Sequence, residues 1–369
     1  GALAQRMVKK AGLPMKVILS YDRREALKDA DFVTTQMRIG RLPARVLDER
    51  IPLSHGMIGQ ETNGAGGMFK AFRTIPVILD IVKDMQELCP NAWMINFTNP
   101  AGMVTEAVLR YTDFKKVIGL CNVPVNMVAG IANILGVEEH RVTMQLQGVN
   151  HHIFATDVFL DGMSVMDEVV ERYANVKPED VLAMKNFISL PYSPAFIRGL
   201  HAIPCPYHNY YFFTKEQLEE EQEQFAKGNV RGEVVSRVEE ELFELYKDEQ
   251  LDVKPKQLEM RGGAKYSDAA CNLIASIYTD KRDIQYVDVQ NNGCISDLPD
   301  DSAVEVACMI TADGPKPLAT GEMKPTISGT IHMIKAFERM VVEAAVTGNR
   351  DLAVTALNMN PLCPSDHLA

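Results

Sequence analysis

A cysteine and a histidine 30 residues apart in this sequence are candidate ligands for a transition metal. Cys121 lies in GLCNVP, at the end of an apolar run that predicts a strand, and His151 lies in GVNHH. Sulfur and imidazole nitrogen are both good ligands for a divalent transition metal. Their spacing matches no zinc finger or ribbon, and the competing interpretations are a buried thiol and a structural histidine. His152 follows directly, so at most one of the two histidines should face the site if both lie on a strand.

Tyr266 and Asn99 are polar side chains at predicted helix starts that could contact a ligand. Tyr266 follows Gly262 and Gly263 in RGGAKYSD, where the glycines allow a close backbone approach. A tyrosine acts as a base only if its pKa is pulled down from about 10, and the alternative is a structural ring. Asn99 in INFTNPAGM either presents its amide to a crevice or begins the next helix as its N-cap, and both interpretations can hold.

Four arginines crowd the stretch QMRIGRLPARVLDERIPLSHGMIGQET, which we predict to be rich in loops. The planar guanidinium suits phosphate or carboxylate, whereas a solvated cluster of charges is the competing interpretation. A local surplus of arginine in an acidic protein favours an anionic ligand. The arginines are Arg38, Arg41, Arg45 and Arg50.

The first 120 residues alternate between predicted strands and helices, which is typical of a doubly wound, mostly parallel α/β sheet. Ligands bind such sheets beyond the carboxyl ends of the strands, so we expect Arg38, Asn96 and Cys121 to border one crevice. A strongly amphipathic helix is predicted from Ile75. The strands are predicted in KVILS (16–20), DFVTTQMRI (31–39), the start of AWMINFTNP (92–100) and KKVIGL (115–120).

The second half of the chain has the pattern of an α+β unit. Alternation with period 2 predicts an antiparallel pair in 145–162, and two further strands are predicted within 284–311. The charge-dense stretch 215–249 predicts a solvated helical face without a function of its own. A late helix carries an apolar stripe, which we assign to the core or to a subunit contact, and is predicted to end at Gly348.

Composition excludes several classes of partner. The 369 residues carry a formal net charge of −11 with no basic block, which argues against nucleic acid and anionic membranes. No run approaches the roughly 20 apolar residues of a membrane span. Seven cysteines without paired spacing argue against a disulfide framework, so we expect a cytoplasmic protein.

Seven stretches, in order from near residue 30 to near residue 350, make the sequence similar to glycoside hydrolase family 4, and most similar to the members that act on 6-phospho-β-glucosides. Several of the stretches are long and unusual, and together they extend over almost the whole chain. They are DADFVTTQMRIG, ARVLDERIPLSHGMIGQETNGAGG, INFTNPAGMVTEAV, GLCNVP, GVNHH, RGGAKYSD and VEAAVTGN.

The resemblance implies a Rossmann-like fold shared with lactate and malate dehydrogenases. It also implies hydrolysis of phosphorylated glycosides, such as cellobiose 6-phosphate, with NAD and a divalent metal, usually Mn2+. Oxidation of the C3 hydroxyl by NAD would acidify the C2–H of the sugar, and a base would remove that proton. The C1 group would then leave by elimination, water would add, and the hydride would return. This chemistry departs from that of two-carboxylate glycosidases.

The resemblance further assigns roles to residues of this chain. Tyr266 would be the base at C2, and Cys121 with His151 would hold the metal. The residues expected to contact the substrate or the cofactor are polar and lie near the predicted crevice. The substrate contacts are Arg45, Glu61, Asn99 and Asn122, and the cofactor contacts are Arg38 and Asn96.

Asn122 determines the sub-type that the resemblance implies. Members that act on 6-phospho-α-glucosides have an aspartate after the metal-binding cysteine, where it serves as an acid, and an amide cannot take that role. The acid that protonates the leaving group is therefore not identified. The alternatives are a family-4 glycosidase of other specificity or an NAD-dependent 2-hydroxyacid dehydrogenase, because FTNP resembles the strand-end Asn-Pro of that class. The arginine and histidine positions of such dehydrogenases find no match here.

We expect residues 1–140 to be the remainder of an NAD-binding Rossmann-like domain. Residues 141–369 would form an α+β domain for catalysis, substrate binding and oligomerisation, as a homodimer or homotetramer. The family's N-terminal strand and Gly-rich NAD turn find no counterpart in the sequence, so we expect a chain truncated at its N-terminus. ETNGAGGMF at 61–69 lacks the spacing of that turn and is predicted to be a substrate-side loop.

Overall fold

Ten strands in two sheets form the centre of the part of the chain that the structure describes. The computed structural model describes residues 1–176, 189–258 and 265–369, so Gly262 and Gly263 lie outside the described residues. The strands are β1 Phe32–Thr35, β2 Trp93–Asn96, β3 Val117–Gly119, β4 Val142–Val149, β5 His152–Leu160, β6 Met163–Ser164, β7 Ile203–Pro204, β8 Ile284–Gln290, β9 Ala303–Thr311 and β10 Gly314–Pro317.

Helices surround both sheets in the described part of the chain. None of them is both long and apolar enough to span a bilayer. Short 3-10 turns occur at Glu139–Arg141, Pro206–His208 and Asp366–Leu368. The α-helices are Ala2–Ala11, Arg23–Leu27, Arg41–Ser54, Gly64–Leu88, Ala101–Tyr111, Val123–Leu135, Met166–Ala174, Pro194–Leu200, Asn209–Phe212, Thr214–Ala226, Arg231–Lys247, Tyr266–Thr279, Pro325–Thr347 and Arg350–Met359.

The larger sheet has six strands in the order β1-β2-β3-β8-β9-β10. Strands β1, β2 and β3 are parallel to one another, which confirms the predicted Rossmann-like α/β arrangement. The three later strands continue the same sheet in antiparallel fashion, and β8 joins β3 where Asp288 lies opposite Gly119. The sheet therefore takes strands from both sides of the predicted domain boundary at residue 140, and that boundary stays a prediction.

The smaller sheet contains the predicted antiparallel pair, β4 and β5, with β6 and β7 on the outer side of β5. The turn between β4 and β5 consists of Asn150 and His151, and His151 has a φ of 65°. His151 thus lies in a turn rather than on a strand. The two histidine rings have different neighbours: His151 stacks on Tyr207, whereas His152, the first residue of β5, contacts the ring of His208.

The late helix Pro325–Thr347 packs its apolar stripe into the core, as predicted. Ile331, Ile334, Phe337 and Val341 are buried along one side. The helix ends at Gly348, whose φ of 73° places it in the left-handed region that glycine adopts readily.

The strand predicted at 16–20 is wrong. Residues 16–20 have no regular structure, and Ile18 is 83% exposed. A β-rich sequence becomes a strand only where a neighbouring strand supplies hydrogen bonds and a face to pack on. In the described residues, no strand pairs with this segment.

The predicted substrate-side loop at 61–69 is also wrong from Gly64 onward, because the helix predicted from Ile75 begins there. Gly66 and Gly67 explain why a Gly-rich stretch is helical. A Cβ atom on Gly66 would lie 2.2 Å from the carbonyl oxygen of Gln60, and one on Gly67 would lie 2.5 Å from the carbonyl carbon of Thr62. The glycines let this helix pack directly on the backbone of the preceding loop.

The stretch that carries the four arginines is a helix, Arg41–Ser54, over most of its length, so the prediction of loops is wrong there. The charge-dense stretch is helical as predicted, but it forms two helices and is only partly solvated. Glu221 and Gly232 on these helices are buried against the helix Arg41–Ser54 and the residues that follow it.

A buried lysine stabilises the core beneath the sheets. The ammonium of Lys335 lies 2.6 Å from carboxylate oxygens of both Glu106 and Glu338, and all three side chains are buried. Removing one partner from a buried ion pair leaves an uncompensated charge.

We therefore expect Lys335→Met to lower the free energy of unfolding by about 3 kcal/mol or more, as measured by urea denaturation. Lys227→Met is the matched control, because Lys227 pairs with Glu223 on the surface and its loss should cost less than about 1 kcal/mol. Equal effects of the two substitutions would contradict the assignment of Lys335 as a core charge partner.

Candidate active site

The two predicted metal ligands meet beyond the carboxyl end of β3. Cys121 follows that strand after one residue, and the turn between β4 and β5 brings His151 to it. The sulfur of Cys121 lies 3.5 Å from Nε2 of His151, and both side chains are buried. The structure thus brings together two residues that are 30 positions apart in the sequence.

Burial sets the protonation of both side chains. Desolvation, with repulsion from Lys70 as a smaller cause, lowers the pKa of His151 to about 3, so the imidazole is neutral and retains a lone pair. Burial raises the pKa of Cys121 well above its ordinary value, and the charges of Glu305 and Asp288 act in the same direction. A thiolate at this position therefore requires a nearby cation.

The geometry of the pair fits two ligands of one transition-metal ion. Bonds of about 2.3 Å to sulfur and about 2.1 Å to nitrogen place the two ligand atoms roughly 3 to 3.7 Å apart, which includes the observed separation. Within the described residues, no group of three or more His, Cys, Asp or Glu side chains is arranged to hold a metal. Cys121 and His151 would therefore supply two of the ligands of such an ion.

Tyr266 is the first residue of its helix and faces the same region. Its ring packs edge-on against Phe97, with 5.3 Å between centroids. Burial raises the pKa of Tyr266 well above its ordinary value, and Cys121 adds to this effect, whereas a hydrogen bond with the side chain of Asn99 opposes it. The phenol is thus protonated in this arrangement, and its predicted role as a base requires a cation nearby.

The prediction of Asn99 as the N-cap is wrong, because the N-cap of the helix Ala101–Tyr111 is Pro100. The side-chain oxygen of Asn99 accepts a hydrogen bond from the backbone N–H of Ala101 at the start of the next helix, at 3.3 Å. Its amide also reaches Tyr266. Asn99 thus contacts both the first residue of the helix and Tyr266, and its contact with the substrate stays a prediction.

Tyr207 is a second phenol at the site, and the sequence analysis did not identify it. Its ring stacks on that of His151, with 3.9 Å between centroids and 5° between the planes. The hydroxyl lies within electrostatic range of both Tyr266 and Arg45. The aromatic run PYHNYYFF offered no spacing that would distinguish this ring from its neighbours.

Glu61 lies at the centre of a cluster of cations beside the metal pair. Its carboxylate is 2.9 Å from the ammonium of Lys70 and 3.1 Å from the guanidinium of Arg45, and it also pairs with Arg38. These cations hold the pKa of Glu61 well below its ordinary value despite the opposing effect of burial. Lys70 was not predicted, and burial lowers its pKa to about 8.

Arg45 is fixed by a second carboxylate. Glu49 accepts a hydrogen bond from Nε of Arg45 at 2.8 Å, and its other oxygen accepts one from the backbone N–H of Gly232 at 2.6 Å. The charged helix Arg231–Lys247 therefore helps to position the arginine, although the sequence suggested only a solvated face. Arg50 instead pairs with Glu233, away from Glu61.

Asn122 and Asn96 are both buried beside the crevice. Asn122 is the N-cap residue of the helix Val123–Leu135, and its side-chain oxygen lies 3.9 Å from the sulfur of Cys121. The side-chain oxygen of Asn96 accepts hydrogen bonds from the Thr35 hydroxyl and from the Thr98 N–H, and so braces the ends of β1 and β2. Contact of Asn96 with a cofactor stays a prediction.

Comparison with protein families matches nearly the whole chain. Residues 1–137 match the model described as "Family 4 glycosyl hydrolase", and residues 146–363 match "Family 4 glycosyl hydrolase C-terminal domain". The two matches together contain every predicted site residue.

Individual relatives agree with the family models. A "Probable 6-phospho-beta-glucosidase" of Bacillus subtilis is 58% identical over 369 residues, which are 100% of this chain and 83% of the relative. The "6-phospho-beta-glucosidase" of Escherichia coli is 52% identical over 99% of this chain and 81% of its own length.

A solved structure of the 6-phospho-β-glucosidase from Thermotoga maritima, with manganese, NAD+ and glucose-6-phosphate, superposes with a TM-score of 0.86. It is 32% identical and covers 99% of this chain and 83% of that chain. The shared sequence, the shared fold and the two family matches lead to one conclusion: the chain belongs to glycoside hydrolase family 4 and is a glycoside hydrolase.

Proposed function

We propose that the chain hydrolyses 6-phospho-β-glucosides with NAD and a divalent metal, through the sequence of C3 oxidation, C2 deprotonation, elimination, water addition and re-reduction. The observation that carries the proposal is the separation of 3.5 Å between the Cys121 sulfur and His151 Nε2. A soft thiol paired with a neutral imidazole suits Zn2+ or a similar transition-metal ion better than Mg2+ or Ca2+. The manganese, NAD+ and glucose-6-phosphate in the Thermotoga maritima structure support the same proposal.

When bound, NAD supplies the acceptor and donor of hydride, and the metal supplies Lewis acidity at the sugar oxygens. Cys121 and His151 would hold the metal, and Arg38 at the end of β1 lies where parallel sheets bind nucleotides. The remaining steps belong to side chains of this protein.

Tyr266 would take the C2 proton. The phenol must lose its own proton to do so, and Asn99 assists because its amide stabilises the phenolate. Asn122, at the N-cap of its helix beside Cys121, would orient a sugar hydroxyl.

Arg45 and Lys70, which both pair with Glu61, would bind the 6-phosphate. Arg45 is held rigidly by Glu49, so its fork is preorganised for a phosphate oxygen. Glu61 neutralises part of the positive charge and keeps the cations together in the absence of ligand. Glu61 alone does not neutralise these cations, and an uncharged glucoside would bring no second anion, so we expect a preference for phosphorylated substrates.

We also propose a cytoplasmic homo-oligomer, as a dimer or tetramer. Seven free cysteines support a reducing compartment. Light scattering after gel filtration would measure the oligomeric state.

Release of 4-nitrophenol from 4-nitrophenyl β-glucoside 6-phosphate tests the proposed reaction. We expect turnover only when NAD and Mn2+ are both present, and little with the unphosphorylated glucoside or with the α-anomer. A C2-deuterated substrate should lose its label to solvent during turnover. Retention of the deuterium, or full activity without NAD, would overturn the proposed mechanism, and NADH formed from lactate or malate would favour a dehydrogenase.

The low pKa of Lys70 predicts a pH dependence of sugar-phosphate binding. Its ammonium is charged below pH 8 and loses its proton as the pH rises through about 8. The phosphate is already a dianion, because its second pKa is about 6. We therefore expect the affinity for glucose 6-phosphate, measured by calorimetry, to fall several-fold between pH 7 and pH 9.

Lys70→Met should bind glucose 6-phosphate weakly at both pH values, without that fall. The other cations of the cluster remain in this variant, so binding should be weakened rather than lost. If the variant loses affinity between pH 7 and pH 9 as the parent does, another group is responsible.

A further inference from the structure

The hydrogen bonds of His151 continue away from the metal pair into a buried polar loop. Nδ1 of His151 lies 3.1 Å from the hydroxyl oxygen of Thr62, and that oxygen lies 2.8 Å from the side-chain oxygen of Gln60. Gln60, Thr62 and His151 are all buried. None of these contacts is used by the reaction proposed above.

The orientation of the Gln60 side chain determines which atom donates and which accepts in each of these hydrogen bonds. Its side-chain oxygen accepts hydrogen bonds from the backbone N–H groups of Thr62 and Asn63, the latter at 2.8 Å. Only the oxygen of the amide can accept, so the orientation of the Gln60 side chain is fixed. The same oxygen faces the Thr62 hydroxyl and must receive its hydrogen, because two buried oxygens in contact without a proton between them would be costly.

A threonine hydroxyl has one hydrogen to donate. Since the hydrogen of Thr62 points to Gln60, the oxygen of Thr62 can only accept from His151. Nδ1 of His151 must then carry the ring proton, and Nε2 must present its lone pair towards the sulfur of Cys121 at 3.5 Å. Metal-binding histidines are commonly oriented by such a partner on the other ring nitrogen.

Two further features hold the loop and the ring in place. Gly66 and Gly67 bring the helix Gly64–Leu88 onto the backbone of Gln60 and Thr62, where any side chain would clash. On the other side, the stacked ring of Tyr207 fixes the plane of His151. Gln60, Thr62, Gly66 and Gly67 thus act together to hold His151 in place.

We propose that Gln60 and Thr62 are positioning residues that fix the tautomer of His151, with the proton on Nδ1 and the lone pair of Nε2 directed at the metal site. The proposal depends on the proposed function only for the identity of the metal ion that Nε2 of His151 binds. The tautomer itself belongs to the metal-free protein.

The first test is nitrogen-15 NMR of the histidine rings in the metal-free full chain, with the resonances of His151 assigned by their loss in His151→Asn. We expect a protonated Nδ1 and an unprotonated Nε2 in the parent protein. Thr62→Val should shift the tautomer ratio towards Nε2–H, and Thr62→Ser should restore the parent pattern. A parent protein with the proton on Nε2 would overturn the proposal.

The second test is the affinity for Mn2+ alone, measured from the electron paramagnetic resonance signal of the free ion. We expect Thr62→Val to weaken binding about 10- to 100-fold, and Thr62→Ser to bind nearly as the parent does. Thr156→Val is the matched control, because the Thr156 hydroxyl bonds a backbone carbonyl of Gln145 and should not affect Mn2+.

Unchanged Mn2+ affinity in Thr62→Val, with folding verified by circular dichroism, would overturn the positioning role. Protonated Nδ1 in a parent protein that binds no Mn2+ would support the hydrogen-bond chain and overturn the metal assignment instead. The two measurements therefore separate failure of this inference from failure of the proposed function.

Discussion

Tyr266→Phe is expected to lower kcat by about 100- to 10,000-fold, the range that a positioned acid or base contributes. The substitution removes only the hydroxyl, so the ring should keep its edge-on contact with Phe97. The affinity for Mn2+ should be unchanged, because the metal ligands are other side chains. Turnover of 4-nitrophenyl β-glucoside 6-phosphate at saturating NAD and Mn2+ measures the effect.

Two further substitutions make that result specific. Tyr278→Phe changes an exposed ring on the same helix, 82% exposed, and should leave kcat as it is. Tyr207→Phe changes the ring stacked on His151. If Tyr207→Phe stops deuterium exchange at C2 while Tyr266→Phe does not, the base is Tyr207 and our assignment of Tyr266 is wrong.

Cys121→Ser should raise the Mn2+ concentration needed for half-maximal activity by about 100-fold or more. Mutation of a residue that only hydrogen-bonds to a metal ligand typically lowers metal affinity about 10- to 100-fold. Cys121→Ser changes the ligand itself, and a serine hydroxyl is a much weaker ligand than a thiolate. Titration of activity with Mn2+ gives the half-saturating concentration. Binding of Mn2+ measured without substrate should weaken in parallel.

Cys271→Ser is the control for this substitution, because that cysteine is exposed on the helix Tyr266–Thr279. It should bind Mn2+ as the parent does. A half-saturating Mn2+ concentration in Cys121→Ser equal to that of the parent would remove Cys121 from the metal site, provided that its melting temperature shows a folded protein.

Sequence patterns predicted the location of site residues most accurately when those residues directly follow a strand. Cys121 follows a short apolar strand, and parallel strands deliver their carboxyl ends to one edge, so its place on the crevice follows from local pattern. The partnership with His151 came from the family resemblance. The contact between Cys121 and His151 forms because the turn between β4 and β5 lies beside the end of β3. No local sequence pattern indicates that these two parts of the chain meet.

The errors have physical causes. Residues 16–20 have the composition of a strand, but a strand exists only with a hydrogen-bonded neighbour. The Gly-rich sequence after Asn63 led us to predict a loop. Its glycines are instead part of a helix, where the lack of a side chain lets the helix pack on the backbone of Gln60 and Thr62. The first outcome depends on a strand elsewhere in the chain and the second on close packing against the preceding loop, and residue propensity contains neither.

Lys70 and Tyr207 were missed for a related reason. Lys70 lies inside a helix and is buried because its ammonium meets Glu61, and a lone lysine in a helical pattern usually indicates solvent. Tyr207 is one of several aromatic residues in a row, and only its stacking on His151 distinguishes it. Each was identified by a side-chain contact.

The way in which β8 joins β3 has a consequence for how the protein unfolds. The strands that complete the larger sheet come from the last third of the chain, while β1 to β3 come from the first third. A fragment ending near residue 140 would leave the hydrogen-bonding edge of β3 open, which invites aggregation. We expect the two halves to melt in a single cooperative transition, and co-expression of separate halves should yield folded protein only when they are present together.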